Sequence, residues 1–199
     1  MGATRIGRER RAAILAAGLG VFARAGYEGA TLDAVAAAAG LSKPNLLYYF
    51  PSKAAVYRAI LDGLLDDWLA PLRALDPEGE PLAQMLAYVR AKLVLSREAP
   101  AASRLFAGEV LRGAPALEGG FADLRALVDD RARVIGHWME GGALAPSDPH
   151  HLVMSIWALT QHYADFEVQV RAVLGPGRDP WAEAEREVLR HFERVLAPR

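Results

Sequence analysis

The chain is predicted to be all-α, with an N-terminal three-helix helix-turn-helix domain over residues 1–53 and a second helical domain over residues 54–199. Three observations carry this. The 199 residues are 52% hydrophobic and rich in Ala and Leu, enough to bury a sizeable core in one or two domains. Pro and Gly fall mostly between periodic stretches, and no alternating run competes as a strand. Residues 31–53, TLDAVAAAAGLSKPNLLYYFPSK, read as two short helices joined by a Gly-centred turn, the layout of a DNA reader.

Taken in order, the first helix carries Ile14, Leu15, Leu19 and Phe22 as a stripe with Gly18 and Ala25. Arg8, Arg10 and Arg11 ahead of Ala12–Ala23 imitate a signal peptide, but a stripe rather than a uniform apolar run marks a helix of the mature protein. No stretch reaches the ~18 apolar residues of a membrane span. Met1-Gly2 is not a myristoylation signal, because Ile6 stands where Ser or Thr is needed. No membrane partner is expected.

Thr31 is the N-cap candidate for a helix whose Leu32, Val35, Ala36 and Ala39 share one face. Gly40 ends it. Ser42 caps the next, and Pro44 lies in its first turn, where a missing N–H breaks no internal bond. Leu46 and Phe50, four apart, point inward and leave Lys43, Asn45, Tyr48 and Tyr49 on or near the outer side. Lys and Tyr reach phosphate oxygens, Asn pairs bidentately with adenine, and Leu47 can touch a thymine methyl. Ser52 caps a further helix running to about Leu75, and Lys53 at its start can meet the DNA backbone. The structural alternative is a helical hairpin with two exposed tyrosines.

The charge is uneven. Residues 1–53 carry seven Lys/Arg against three acidic residues, a balance of +4, while the remainder carries 16 basic and 21 acidic residues, a balance of −5. The positive end supplies phosphate attraction, and the negative remainder orients the approach. With no cysteine, neither a disulfide framework nor a thiolate metal site exists, which fits a reducing cytoplasm.

The run from Arg11 to Tyr57, with Ile14, Phe22 and Tyr27 in the first helix, resembles the N-terminal domain of TetR-family transcriptional regulators. The resemblance implies DNA contacts from Thr31, Lys43, Pro44, Asn45, Leu47, Tyr48, Tyr49 and Lys53. Leu47 stands where a Tyr is common, and Ala55 replaces the Glu that would complete a capping box with Ser52, so the operator sequence does not carry over.

Beyond Tyr57 the chain reads as five or six longer helices, broken at Asp76–Glu80, Ala99-Pro100, Gly113–Pro115, Gly141–Pro149 and Gly175–Pro180. The helix from Ser52 is shared between domains and can act as a lever. The segments NLLYYFPSK, WLAPL (68–72), ASRLF (102–106), LAPSDPHHL (144–152) and IWALTQHYADF (156–166) resemble the subfamily of pyrimidine-utilisation repressors. That resemblance implies a uracil or thymine effector, a ligand-binding and dimerisation role for residues 54–199, and a homodimer on a near-palindromic double-stranded operator. Ligand binding would shift the dimer to a spacing that no longer fits DNA.

A pyrimidine needs flat apolar faces and fixed polar groups at its edge. Trp68, Phe106 and Trp157 are candidate faces; Lys92, Ser96, Thr160, Gln161 and Asp165 are candidate edges. In a helix read over 150–173, Trp157, Thr160, Gln161 and Ala164 share a face. Each has a structural alternative: the tryptophans as core, Lys92 and Ser96 facing solvent. Glu109 is an inward carboxylate or the partner of Arg104 or Arg112. The terminal helix, 179–197, shows an apolar face of Trp181, Val188, Leu189, Phe192, Val195 and Leu196, expected to pair with its copy.

His162 and Asp165 stand three apart, with His137, His150 and His151 elsewhere, too sparse for a metal site; His150 and His151 read as a helix-cap region. No metal or cofactor is expected. A regulator of the same family answering to an apolar or aromatic ligand is the alternative reading. A small helical enzyme is the remote one, lacking G-x-S-x-G, P-loop, dinucleotide or H-E-x-x-H motifs.

Overall fold

The computed structural model describes residues 5–117 and 119–198; Met1-Gly2 lies outside them. Among the described residues there are ten α-helices: α1 Arg5–Gly29, α2 Leu32–Ala38, α3 Lys43–Tyr49, α4 Lys53–Arg73, α5 Pro81–Glu98, α6 Pro100–Leu111, α7 Gly120–Glu140, α8 Pro149–Asp165, α9 Glu167–Leu174 and α10 Pro180–Leu196. A 3₁₀ turn spans Pro115–Leu117. None of these helices is long and apolar enough to cross a membrane.

The helices form two compact units. One takes the described residues up to Leu65 and returns with those from Arg104 to Leu117; the other holds Asp66–Ser103 and the described residues from Gly119 on. The division expected at 53/54 is linear, whereas this one passes through α4 and reaches forward to the end of α6.

In the first unit, Ile14 and Phe22 of α1, Val35 of α2, Leu46 of α3 and Val56 and Leu61 of α4 share one core with Leu105 and Leu117. Gly18 lets α1 and α4 approach closely, since a Cβ there would lie 3.0 Å from Ile60 Cδ1 and 3.2 Å from Val56 Cγ1. Glu109, 2% exposed, accepts hydrogen bonds from Tyr57 Oη (3.0 Å), Arg112 Nη2 (2.6 Å) and Ala116 N (2.7 Å). Burial pushes its carboxyl up, but the three donors together outweigh that and hold it below the usual range. The same carboxylate, after burial, pushes the Tyr57 hydroxyl up to about 12.

In the second unit, Met85, Tyr88, Val89 and Leu93 of α5, Val153 and Ile156 of α8, and Val188, Phe192 and Leu196 of α10 form the core with Ile135 and Trp138 of α7. Most of the apolar face of the terminal helix is buried in its own unit, leaving Val195, at 44%, as its exposed large hydrophobic residue. The helix expected over 150–173 also divides, because Phe166 adopts φ −115°, ψ 32°, ending α8 and opening α9. Large apolar side chains left exposed there are Met154, Leu159, Phe166, Val168 and Val173.

Candidate functional site: a helix-turn-helix reader and a buried donor cluster

Local chemistry builds the reader. Thr31 Oγ1 accepts from Ala34 N at 3.1 Å and caps α2; Ser42 Oγ accepts from Asn45 N and caps α3, with Pro44 in the first turn. Between them Gly40 takes φ +66°, a left-handed conformation that suits glycine. Ser52 Oγ accepts from Ala55 N at 3.1 Å and caps α4 without the reciprocal Glu.

Leu46 and Phe50 are buried, so α3 turns Lys43, Pro44, Asn45, Leu47 and Tyr48 outward, Tyr48 being 84% exposed. Lys43 Nζ meets Asp33 Oδ2 at 2.9 Å in an exposed pair. Two expectations change. Tyr49 is half-buried against the core, its carbonyl facing Arg11 Nη1 at 3.4 Å, and its ring lies edge-on to Tyr48. Lys53 does not reach outward: its Nζ donates to the carbonyls of Tyr27 (2.7 Å), Ala30 (3.1 Å) and Glu28 (3.4 Å). The end of α1 leaves carbonyls without helical partners, and the ammonium satisfies them.

In the second unit, Trp157 Nε1 donates to Tyr88 Oη at 2.6 Å, and Ser103 Oγ donates to Asp165 Oδ1 at 2.5 Å. These two ties bracket Lys92 and Ser96 on α5 and Thr160 and Gln161 on α8. Lys92 is 3% exposed, with no hydrogen bond or ion pair among the described residues. Its Nζ stands 5.3 Å from the centre of the Trp68 ring, and burial holds the amine down to about 8. Ser96 is equally buried, so the solvent-facing alternative fails for both. Trp68 is 7% exposed, while Trp157 and Gln161 are half-buried.

Three expected edge or face groups are otherwise engaged. Thr160 gives its hydroxyl proton to Ile156 O at 2.7 Å, leaving only lone pairs for a ligand. Asp165 is bound to Ser103, and Phe106 packs on the core of the first unit. Glu109 pairs with Arg112, as the ordinary alternative held. His150 meets Asp129 at 2.9 Å, and the cap of α8 is Asp148, which accepts from His151 N. Among the described residues no group of three or more His, Cys, Asp or Glu could hold a metal ion.

Sequence reasoning missed Tyr88. Its signal was present: Tyr88, Lys92 and Ser96 follow each other at four-residue steps on one face of α5. Its hydroxyl accepts the indole N–H of Trp157 and keeps its own proton to give, burial pushing its ionisation well upward. A groove of about 520 Å³ between the Pro77–Pro81 turn and α7, with Asp130, Arg133 and His137 along it, contains none of these residues.

Residues 14–60 match the bacterial regulatory proteins of the tetR family, and residues 61–198 match the C-terminal region of YcdC-like proteins. This chain is a TetR-family transcriptional regulator. It is 52% identical to the HTH-type transcriptional regulator RutR of Escherichia coli over 167 residues, 83% of this chain and 79% of that protein. Among solved structures, a transcriptional regulator from Streptomyces coelicolor superposes with a TM-score of 0.76 at 23% identity, covering 95% of this chain and 99% of that one. The ketosteroid regulator KstR2 of Mycobacterium tuberculosis gives 0.74 at 19% identity, covering 96% of each. Both show that the TetR-family fold is shared. The outward face of α3 thus belongs to a DNA-binding regulator rather than to an enzyme.

Proposed function

We propose that this TetR-family regulator is a cytoplasmic homodimeric repressor whose effector is uracil, thymine or a close pyrimidine relative. The observation that carries the effector reading is Lys92, a buried cation lacking a polar partner and standing beside the Trp68 ring. A buried polar group left unsatisfied costs ~1–3 kcal/mol, and a flat ring bearing carbonyl oxygens satisfies the amine while covering the indole. Gln161, one turn along α8 from Trp157, supplies an amide edge. The sequence resemblance to pyrimidine-utilisation repressors supports the same ligand. A purely apolar effector would leave Lys92 and Gln161 unpaired.

On DNA, Thr31, Lys43, Pro44, Asn45, Leu47 and Tyr48 form the contact set, with Tyr49 and Lys53 placing α3 and the start of α4 rather than touching phosphate. Exposed Leu159 on α8, Val173 on α9 and Phe166 at the joint between them support self-association through these helices. A two-fold dimer presents two copies of α3 to successive major grooves about 34 Å apart, so the operator is a near-palindrome.

Isothermal titration with uracil, with a fatty acid as control, tests the effector. Saturable uracil binding that weakens at least about tenfold in Gln161→Ala is the expected result. Heat from the fatty acid and none from uracil would replace the pyrimidine with an apolar effector. In parallel, Tyr48→Ala should weaken operator binding about fivefold or more and leave uracil affinity unchanged.

A further inference from the structure

We propose that the start of α1 is an auxiliary phosphate-contact surface, in which Arg8 and Arg10 hold the DNA backbone beside the groove that α3 enters. This rests on α3 as the reading helix and adds a surface outside the helix-turn-helix. Residues 5–11, RIGRERR, hold four arginines and one glutamate, a net charge of +3 within about two helical turns. Arg5 answers Glu9 at 2.8 Å in an exposed pair, and Arg8 and Arg10 are themselves exposed.

Arg11 fixes where this charge sits. Its Nη1 donates to the Tyr49 carbonyl at 3.4 Å, and its guanidinium lies 4.1 Å from the centre of the Phe50 ring, so the first turns of α1 adjoin the C-terminal end of α3. Arg8 stands one turn before Arg11, and at about 100° per residue Arg8 and Arg10 flank it on opposite sides of the helix. A reading helix meets base edges with its N-terminal residues, and the seven residues of α3 span only about 10 Å in a groove about 12 Å wide. The C-terminal end of α3 therefore stands at the rim, where the phosphates run.

The two lysines of the reader leave phosphate charge to be met from elsewhere. Lys53 is engaged by the carbonyls that end α1, and Lys43 shares its charge with Asp33 at 2.9 Å. A duplex carries one negative charge per about 1.7 Å of axis, and cations bind it by releasing its counterions. Arginine suits that contact, a planar fork of donors that stays charged at any working pH. Phosphate contacts carry no sequence information, so they strengthen binding to operator and to other DNA alike.

The test is fluorescence anisotropy of the full chain between about 50 and 200 mM salt, on a duplex that the wild type selects from a randomised library and on a scrambled duplex of equal length. Arg8→Gln/Arg10→Gln is compared with Arg97→Gln/Arg125→Gln, which removes the same charge from exposed positions on α5 and α7, and thermal melting checks the fold of each. The α1 variant should bind the selected duplex at least about tenfold more weakly, with the slope of log affinity against log salt lower by about 4, two contacts per subunit of the dimer. Its preference for selected over scrambled duplex should stay within about threefold of wild type, a result that a displaced α3 would not give. Arg10→Gln alone supplies a second reading if the double variant melts early. A slope and affinity matching those of the α5/α7 variant, or a loss confined to the selected duplex, would overturn the proposal while leaving α3 as the reader. Failure of the wild type to select any duplex would instead remove α3 as the reading helix, and this inference with it.

Discussion

Lys92 is expensive to the empty protein. Burial holds its amine at about 8, against 10.5 for a free side chain, so the ligand-free fold carries a penalty of roughly 3 kcal/mol. The sign follows from proton binding: between about 8 and 10.5 the unfolded chain holds the proton and the folded chain does not. The penalty is therefore complete below about pH 8 and fades as pH rises toward 10.5. Lys92→Met should raise ligand-free stability at pH 7 by about 2–3 kcal/mol, and by about 1 kcal/mol less at pH 9. Urea denaturation at the two pH values measures both; a less stable variant at pH 7 would mean the amine has an internal partner. A residue that destabilises the empty fold and serves the bound one is a common mark of a functional position.

Among the helices, the local rules were legible. Thr31, Ser42 and Ser52 cap where their sequence positions place them, because a cap needs only one side chain and a nearby N–H. What escaped were features set by tertiary surroundings. The sequence places Lys53 at the start of α4 within reach of phosphate, and nothing local shows that the carbonyls at the end of α1 engage it. The break at Phe166 has no Gly or Pro to announce it, so a continuous helix over 150–173 was the natural reading. The burial of Val188, Phe192 and Leu196 was legible, but the choice between core and partner was not, since both bury the same stripe. Close approach at Gly18 gives a prediction for one helix pair. Gly18→Val places branched atoms against Ile60 and Val56, already 3.0 and 3.2 Å from a Cβ, and should cost about 1–3 kcal/mol. A thermal melt with an unshifted midpoint would show that α4 yields there without cost.

At the scale of the whole molecule, charge and composition foretold the fold class and which end meets DNA, while the composite make-up of the reader unit could not be read from them. A basic reader of +4 followed by a remainder of −5 makes operator binding a matter of counterion release. A dimer using both readers should lose about 10³-fold in affinity between 50 and 200 mM salt, followed by fluorescence anisotropy on a labelled palindrome. A flat response would place the basic end away from phosphate.

The carboxylate of Glu109 has a consequence for how such regulators can be recombined. The reading head is not a contiguous cassette: its core includes Leu105 and Leu117, and the Tyr57 hydroxyl donates to Glu109, all from beyond the cut that a linear boundary suggests. A chimera that joins residues 1–65 to a foreign sensor would leave this interior uncovered and the Tyr57 hydroxyl without its acceptor. Grafting becomes coherent only when the 104–117 segment travels with the head, so exchange of sensors within this lineage is constrained to donors that supply an equivalent buried acid and its two apolar neighbours.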